Sequence, residues 1–103
     1  MRPIHTMLDT VSGKRRPYVI LTPERVAEVR TQETVAPITT RIRDLPSEVP
    51  LGPRNGLQHA SVVKLDDMMT VPVTALSPTV IGWLRSDQEQ ALTAAVHAAL
   101  GLQ

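Results

Sequence analysis

Lys14-Arg15-Arg16-Pro17-Tyr18-Val19-Ile20-Leu21-Thr22 and Val35-Ala36-Pro37-Ile38-Thr39-Thr40 decide how this chain is read. Each is an apolar run with a polar group at one end: arginine at the start of the first, a threonine pair at the end of the second. Compact runs of β-branched and apolar residues read as strands. Paired antiparallel, the start of one strand lies beside the end of the other, so Arg16 and Thr39 converge on one spot. A guanidinium fork and a short hydroxyl at that spot are suited to holding a phosphate.

The flanking sequence predicts further short strands. Residues 4–8 form one, residues 10–13 turn with Gly13 free to take a positive φ, and residues 17–21 form the next, with Pro17 at its first position. Thr22-Pro23-Glu24 reads as a helix start, with Thr22 as N-cap and the helix reaching about Val29. Residues 33–40 follow as a strand containing Pro37, which cannot donate to a ladder and so belongs at an edge or a bulge. Residues 48–51 and 61–65 are brief strands separated by the turn signal Gly52-Pro53-Arg54-Asn55-Gly56. After the segment 68–73, residues 79–84 give the last strand. Ser86-Asp87-Gln88-Glu89 has the form of a capping box, and Leu92, Ala95, Val96, Ala99 and Leu100 follow at helical spacing until Gly101. Short strands with one docked amphipathic helix indicate a small α+β fold, mainly β, of the barrel or curled-sheet type.

The 103 residues form one domain, 1–103, since chains divide only above roughly 250 residues. An apolar share of 42% is that of a globular chain. Without cysteine, disulfide frameworks, thiolate catalysis and cysteine zinc sites are excluded. One Trp, one Tyr and no Phe leave no aromatic stacking platform, so a bound nucleic acid is held by charge and hydrogen bonds. No apolar stretch approaches the about 20 residues that cross a bilayer, and no leader is apparent, so the expected location is cytoplasmic, without membrane contact. The net charge of +1 is unevenly spread. Residues 1–43 hold eight Lys/Arg and four acids, residues 44–103 three and six, which points to an anion-binding face built from the first half.

Arg-Pro with its apolar strand, Val-Ala-Pro-Ile-Thr-Thr, Glu-Val-Pro-Leu, Asn-Gly-Leu, Ser-Val-Val, Ile-Gly and a helix ending Leu-Gly-Leu occur in that order. The series resembles the MazF/PemK family, the toxins of type II toxin–antitoxin modules, over nearly the whole chain. With its Met-Arg-Pro-Ile-His start it is similar in particular to short mycobacterial members. The resemblance implies an SH3-like barrel of the CcdB/PemK type with a short helix and an amphipathic C-terminal helix, assembled as a homodimer. It implies a sequence-specific endoribonuclease that cuts single-stranded RNA without metal or other cofactor, arrests growth and is held by a cognate antitoxin. It also implies that Arg16 and Thr39 are the catalytic pair.

That chemistry suits the residues. The substrate's own 2′-OH attacks the adjacent phosphate, so neither an enzyme nucleophile nor a metal is needed, and DNA survives. Arg16 and Thr39 serve as donors to the phosphoryl oxygens. Arg16 keeps its proton at ordinary pH and is a poor base. Lys14, Arg15, Arg41 and Arg43 are candidates for tracking phosphates. Thr40, His59, Ser61 and Asp66 are candidates for other substrate contacts, Asp66 as an acceptor from a base amino group. His5 and His97 are expected to be structural or surface groups, Trp83 a core residue rather than a stacking platform, and Met68 and Met69 core or interface. Many family members carry a longer loop with an acidic residue before Arg-Pro. Here residues 9–15 are short and end in three bases, which removes that acid–base partner. Two other readings compete: a CcdB-like binding protein that poisons gyrase, and an inactive relative that only binds antitoxin. CcdB proteins end in a Trp-Gly-Ile type tail, whereas this chain ends Leu-Gly-Leu-Gln.

Overall fold

Strand β3 (Gln32–Thr39) organises the molecule because it pairs with three others. The computed structural model describes residues 1–23 and 31–102. Among these, the remaining elements are β1 (Arg2–Asp9), β2 (Lys14–Ile20), β4 (Glu48–Leu51), β5 (Ser61–Lys64), β6 (Met69–Pro72), β7 (Gly82–Leu84) and the helix α1 (Glu89–Leu100). The sheet runs β4-β5-β3-β2-β1-β7, antiparallel at each junction, and β6 also lies on β3. On one side β3 meets β2, with Ile20 level with Val35 and Tyr18 with Pro37. On the other it meets β6 from Gln32 to Val35, then β5 at Ile38 and Thr39. The helix expected after Thr22 falls on residues 24–30, outside the described part. The Thr22 hydroxyl itself accepts the Thr34 N–H at 2.8 Å.

Pro37 is therefore in a central strand, not at an edge. It is tolerated because the change of partner from β6 to β5 leaves Ala36 and Pro37 without a ladder partner on that side. Pro17 likewise lies inside β2, which begins three residues earlier than its sequence indicates. It pairs with Thr6 of β1, while the β2–β3 ladder begins only at Tyr18.

Alternation along the strands separates two apolar clusters. Ile4, Val19, Ala36, Ile38, Val63, Leu65 and Leu84 form the main core, onto which α1 docks through Leu92 and Ala95. Met7, Tyr18, Ile20, Val35, Val71 and Leu76 form the second. With both faces covered, β2 and β3 read as continuous apolar runs. Trp83 belongs to neither cluster and is 38% exposed on the edge strand β7, with Val80 and Ile81 exposed beside it. Met69 is exposed too, whereas Met68 packs against the main core.

The start of α1 departs from the expected capping box. Residues 86–88 form a 3-10 turn, and Gln88 Oε1 rather than Glu89 reaches back, accepting the Arg85 N–H at 2.9 Å. Glu89 pairs instead with Arg2 Nε at 3.0 Å, and the same guanidinium donates to the Leu21 carbonyl, tying the start of β1, the end of β2 and the helix together. At the other end Gly101 takes φ 70°; its N–H bonds to the Ala98 carbonyl and the Leu102 N–H to His97, a Schellman stop.

Asn55 is the buried stitch of this region, 1% exposed at the end of the 3-10 turn Pro53–Asn55. Its Nδ2 donates to the Trp83 carbonyl at 2.9 Å and to Gln88 Oε1 at 2.7 Å, while Oδ1 accepts the Gly52 N–H at 3.1 Å. Outside it, Arg54 grips Asp87 with two bonds of 3.0 and 2.8 Å, which raises the guanidinium's proton affinity and lowers that of the carboxyl. The adjacent backbones touch: a Cβ at Gly82 would lie 1.8 Å from the Asn55 carbonyl oxygen. Only glycine allows that approach. Gly82→Ala is expected to destabilise the fold by about 2–4 kcal/mol through this clash. Asn55→Ala should cost about 2–3 kcal/mol by stranding its buried partners. Both are read from urea unfolding midpoints at unchanged m-value.

Candidate active site

Continuing the β2–β3 register two residues beyond Tyr18 and Pro37 sets Arg16 level with Thr39. The ladder has ended there: its last pair is Tyr18 with Pro37, and Pro17 has no N–H to extend it. The two residues thus flank an unbonded gap at the rim of the second apolar cluster. Arg16 is anchored from the other side by its pairing with Met7 of β1. Its side chain remains 49% exposed, and Thr39 is half-buried.

Asp9, the last residue of β1, shares this face. Its Oδ2 lies 4.0 Å from Arg16 Nε, too far for a hydrogen bond, so the guanidinium N–H groups stay available. The carboxylate is fixed by the β1–β2 turn. Oδ1 accepts the Val11 N–H and Oδ2 the Ser12 hydroxyl, both at 3.0 Å, and Gly13 closes the turn on the Asp9 carbonyl at 2.8 Å with φ 72°. The Val11 N–H, then the Ser12 hydroxyl, with a smaller contribution from Arg16, hold the Asp9 carboxyl below its ordinary 3.8. Burial pushes the Tyr18 phenol up, and the Asp9 charge adds to the shift. An acidic neighbour of Arg16 is thus present, contrary to the expectation that the short loop removes it. Its sequence signal is an Asx turn, Asp followed by Val at the second and Ser at the third position.

Thr39 Oγ1 accepts the Arg41 N–H at 3.1 Å. With a lone pair committed to the backbone, the hydroxyl's own proton is free to be given outward. An exposed arginine and a hydroxyl with its proton uncommitted flank one gap, an arrangement suited to binding a phosphoryl group and stabilising charge growing on it.

The other expected contacts divide. Lys14 is exposed opposite Asp9, and Arg41 and Arg43 are exposed on the loop leaving Thr39. Thr40 is exposed next to Thr39, and register continuation brings it level with Ser61, because Thr39 pairs with Val62. Ser61 is buried and its hydroxyl donates to the His59 carbonyl at 2.9 Å, so it shapes the turn that presents the exposed His59. Arg15 turns away from Arg16: its Nε donates to Thr6 Oγ1 at 3.1 Å and Nη2 to the Thr6 carbonyl at 3.2 Å. Strand alternation dictates this separation. Asp66 lies in the 3-10 turn beyond the opposite end of β5 and accepts the Ser47 hydroxyl, so it is not brought to the pair. His5 is structural, its Nδ1 bonded to the Ser77 carbonyl at 2.7 Å. Among the described residues no cluster of His, Cys, Asp and Glu is arranged to hold a metal.

Comparison with known proteins gives this arrangement its setting. The model of the PemK-like, MazF-like toxins of type II toxin–antitoxin systems matches residues 6–100. The curated protein Endoribonuclease MazF3 of Mycobacterium tuberculosis is 48% identical over 103 residues, covering 99% of this chain and 95% of that protein. Among solved structures, the M. tuberculosis toxin MazF-mt6 superposes with a TM-score of 0.91 at 45% identity, covering 99% of both chains. A mycobacterial endoribonuclease in complex with its cognate antitoxin shares the fold, with a TM-score of 0.83 at 21% identity over 100% of this chain and 96% of that one. With the family model matching almost end to end, the chain belongs to the PemK-like, MazF-like toxins of type II toxin–antitoxin systems.

Proposed function

We propose that this toxin is a sequence-specific endoribonuclease that cuts single-stranded RNA through the substrate's own 2′-OH, without a metal, and so arrests growth. The observation that carries the reading is the Arg16–Thr39 alignment: an exposed guanidinium fork with no hydrogen bond to Asp9, level in the sheet register with a hydroxyl whose proton is uncommitted. The 2′-oxygen gives its proton to water and bonds to phosphorus, the P–O5′ bond breaks, the 5′-oxygen leaves as a hydroxyl on taking a proton from water, and a 2′,3′-cyclic phosphate remains, while the charge that builds on the phosphoryl oxygens meets the Arg16 and Thr39 donors. Lys14, Arg41 and Arg43 track the neighbouring phosphates, while Thr40, with His59 over the turn shaped by Ser61, borders the strand. Arg15 and Asp66 act through structure, one bound to β1 and the other to Ser47.

Asp9 positions Arg16. A carboxyl held below its ordinary value is a weak base, so its value lies in aiming and neutralising the cation. The close relative's name, an endoribonuclease, supports the activity, and the distant relative solved with its antitoxin supports a cognate antitoxin as partner. Exposed Val80, Ile81 and Trp83 along the edge strand β7 support a homodimer. No helix among the described residues is long and apolar enough to cross a membrane, and an RNA substrate fits a cytoplasmic toxin. The gyrase-poisoning alternative has no support in the family match.

The purified protein is expected to cut single-stranded RNA in excess EDTA and to leave DNA of the same sequence intact; a magnesium requirement overturns the mechanism. Arg16→Ala and Thr39→Val should each lower kcat by about 100- to 1000-fold with the fold retained, the size seen when one fixed donor to a developing oxyanion is removed. Thr39→Ser keeps the hydroxyl and should recover most of the rate.

The pH profile tests Asp9. Its native pKa is depressed, so the charge it lends Arg16 is complete above 3.8 and is lost only as pH falls through the lower native value. An acid limb between pH 4 and 6 that disappears in Asp9→Asn contradicts this role.

A further inference from the structure

Tyr18 carries a hydroxyl that its place in the apolar packing does not require. The residue is 6% exposed and lies in the second cluster with Met7, Ile20, Val35, Val71 and Leu76. An apolar ring would serve that packing, and a tyrosine hydroxyl in such surroundings ordinarily finds a partner. Among the described residues, none forms a hydrogen bond with it: burial and charge alone shift its proton affinity. Nor is the oxygen sealed away, since Glu48 Oε2 is the one buried side-chain atom without a partner among the described residues. The Tyr18 hydroxyl therefore meets solvent with its donor unused.

Its place is the end of the phosphate gap. Tyr18 and Pro37 are the last pair of the β2–β3 ladder, and the gap flanked by Arg16 and Thr39 begins at the next rank. Strand alternation puts Tyr18 on the same face as Arg16, two residues away, and Pro37 on the same face as Thr39. Neighbouring ranks on one face are about 7 Å apart, within reach of an aromatic side chain. Both charged groups of the gap act on the phenol. Burial raises its proton affinity most, the Asp9 charge adds to this and the Arg16 charge opposes it. The phenol thus keeps its proton in the neutral range and serves as a donor, not a base.

We propose that Tyr18 is a third catalytic donor, its hydroxyl giving a hydrogen bond to a non-bridging oxygen of the phosphate held by Arg16 and Thr39. The two non-bridging oxygens of an attacked phosphate offer more acceptor sites than one guanidinium edge and one hydroxyl fill. A donor fixed by packing needs no reorganisation as charge grows on those oxygens. No bond forms or breaks at Tyr18, and its proton stays on the phenol. The contact rests on the endoribonuclease reading for its substrate, and on the unpartnered hydroxyl beside the gap for its donor.

Tyr18→Phe removes the oxygen and keeps the ring. Single-turnover cleavage by wild type and variant is measured on an all-oxygen RNA and on two RNAs with sulfur at one or the other non-bridging position of the scissile phosphate. The variant should cut the all-oxygen RNA about 10- to 100-fold more slowly, the size of a hydrogen bond to a charged group, at a urea midpoint no lower than that of wild type. Sulfur is a weak acceptor, so at one of the two positions it should slow wild type about fivefold more than it slows Tyr18→Phe. An independent measurement uses Tyr18 as the only tyrosine of the chain, so that wild type labelled with ¹³C at the tyrosine Cζ gives one phenol signal. RNA with a 2′-deoxy sugar at the scissile nucleotide binds without being cut and should move that signal; this decides the matter if Tyr18→Phe does not fold. Cleavage by folded Tyr18→Phe at the wild-type rate, sulfur effects equal in the two proteins, or a phenol signal unmoved at saturating RNA overturns the contact. Wild type that cuts no RNA overturns the nuclease reading instead, and the phenol signal then decides the contact alone.

Discussion

Everything useful in this fold depends on β2 parting from β3 before β3 ends. A strand that kept β2 beside it to its end would bury Thr39 in a continuous ladder and leave no space for a substrate. Pro17 withholds an N–H on β2, and the two strands separate just beyond Tyr18 and Pro37, while Ile38 and Thr39 keep β5 on the other edge. Both prolines, which in isolation argue against central strands, mark where the sheet must open. Packing on both faces holds the opening rigid. The main core and α1 lie on one side and the Met7–Tyr18–Val35 cluster on the other.

That placement decides between the two arginines. Arg15 and Arg16 have the same chemistry and adjacent positions, yet the pleat sends them to opposite faces. Arg15 is spent on Thr6, and Arg16 keeps its donors, with Asp9 near enough to bias it electrostatically but too far to occupy it. Thr39 is held in a complementary way, a lone pair taken by the Arg41 N–H and its own proton left uncommitted.

Strand content and the Arg16–Thr39 opposition were legible from sequence because both follow from apolar patterning and antiparallel arithmetic. What depends on side-chain choice between neighbours was not. Gln88 and Glu89 are both able to cap, and a long-range pairing with Arg2 took Glu89 away. Asp9 reads as a loop acid until its turn bonds fold it back beside Arg16. Asp66 reads as an acid suited to meet a base, but it lies four residues beyond Val62, past the end of β5, where it accepts the Ser47 hydroxyl. Trp83 reads as core by composition, yet it lies on an edge strand whose outer side is open. Glu48, at the start of a short strand between Ser47 and Val49, has no sequence feature that marks it as buried.

The β3–β4 loop is fastened entirely from its own ends: Thr39 Oγ1 holds Arg41, Glu48 holds Arg43 and Leu45, and Ser47 is secured to the turn after β5. None of those bonds reaches Arg16, Asp9 or the β1–β2 turn. The loop therefore meets the Arg16–Thr39 pair only through the Arg41 N–H, a backbone donor that any residue but proline supplies. Side chains at positions 40–46 can drift, or be exchanged between related toxins, while that bond and the strand register keep their alignment. A lineage of such proteins could in this way diversify which RNA sequences it attacks without relearning how to cut.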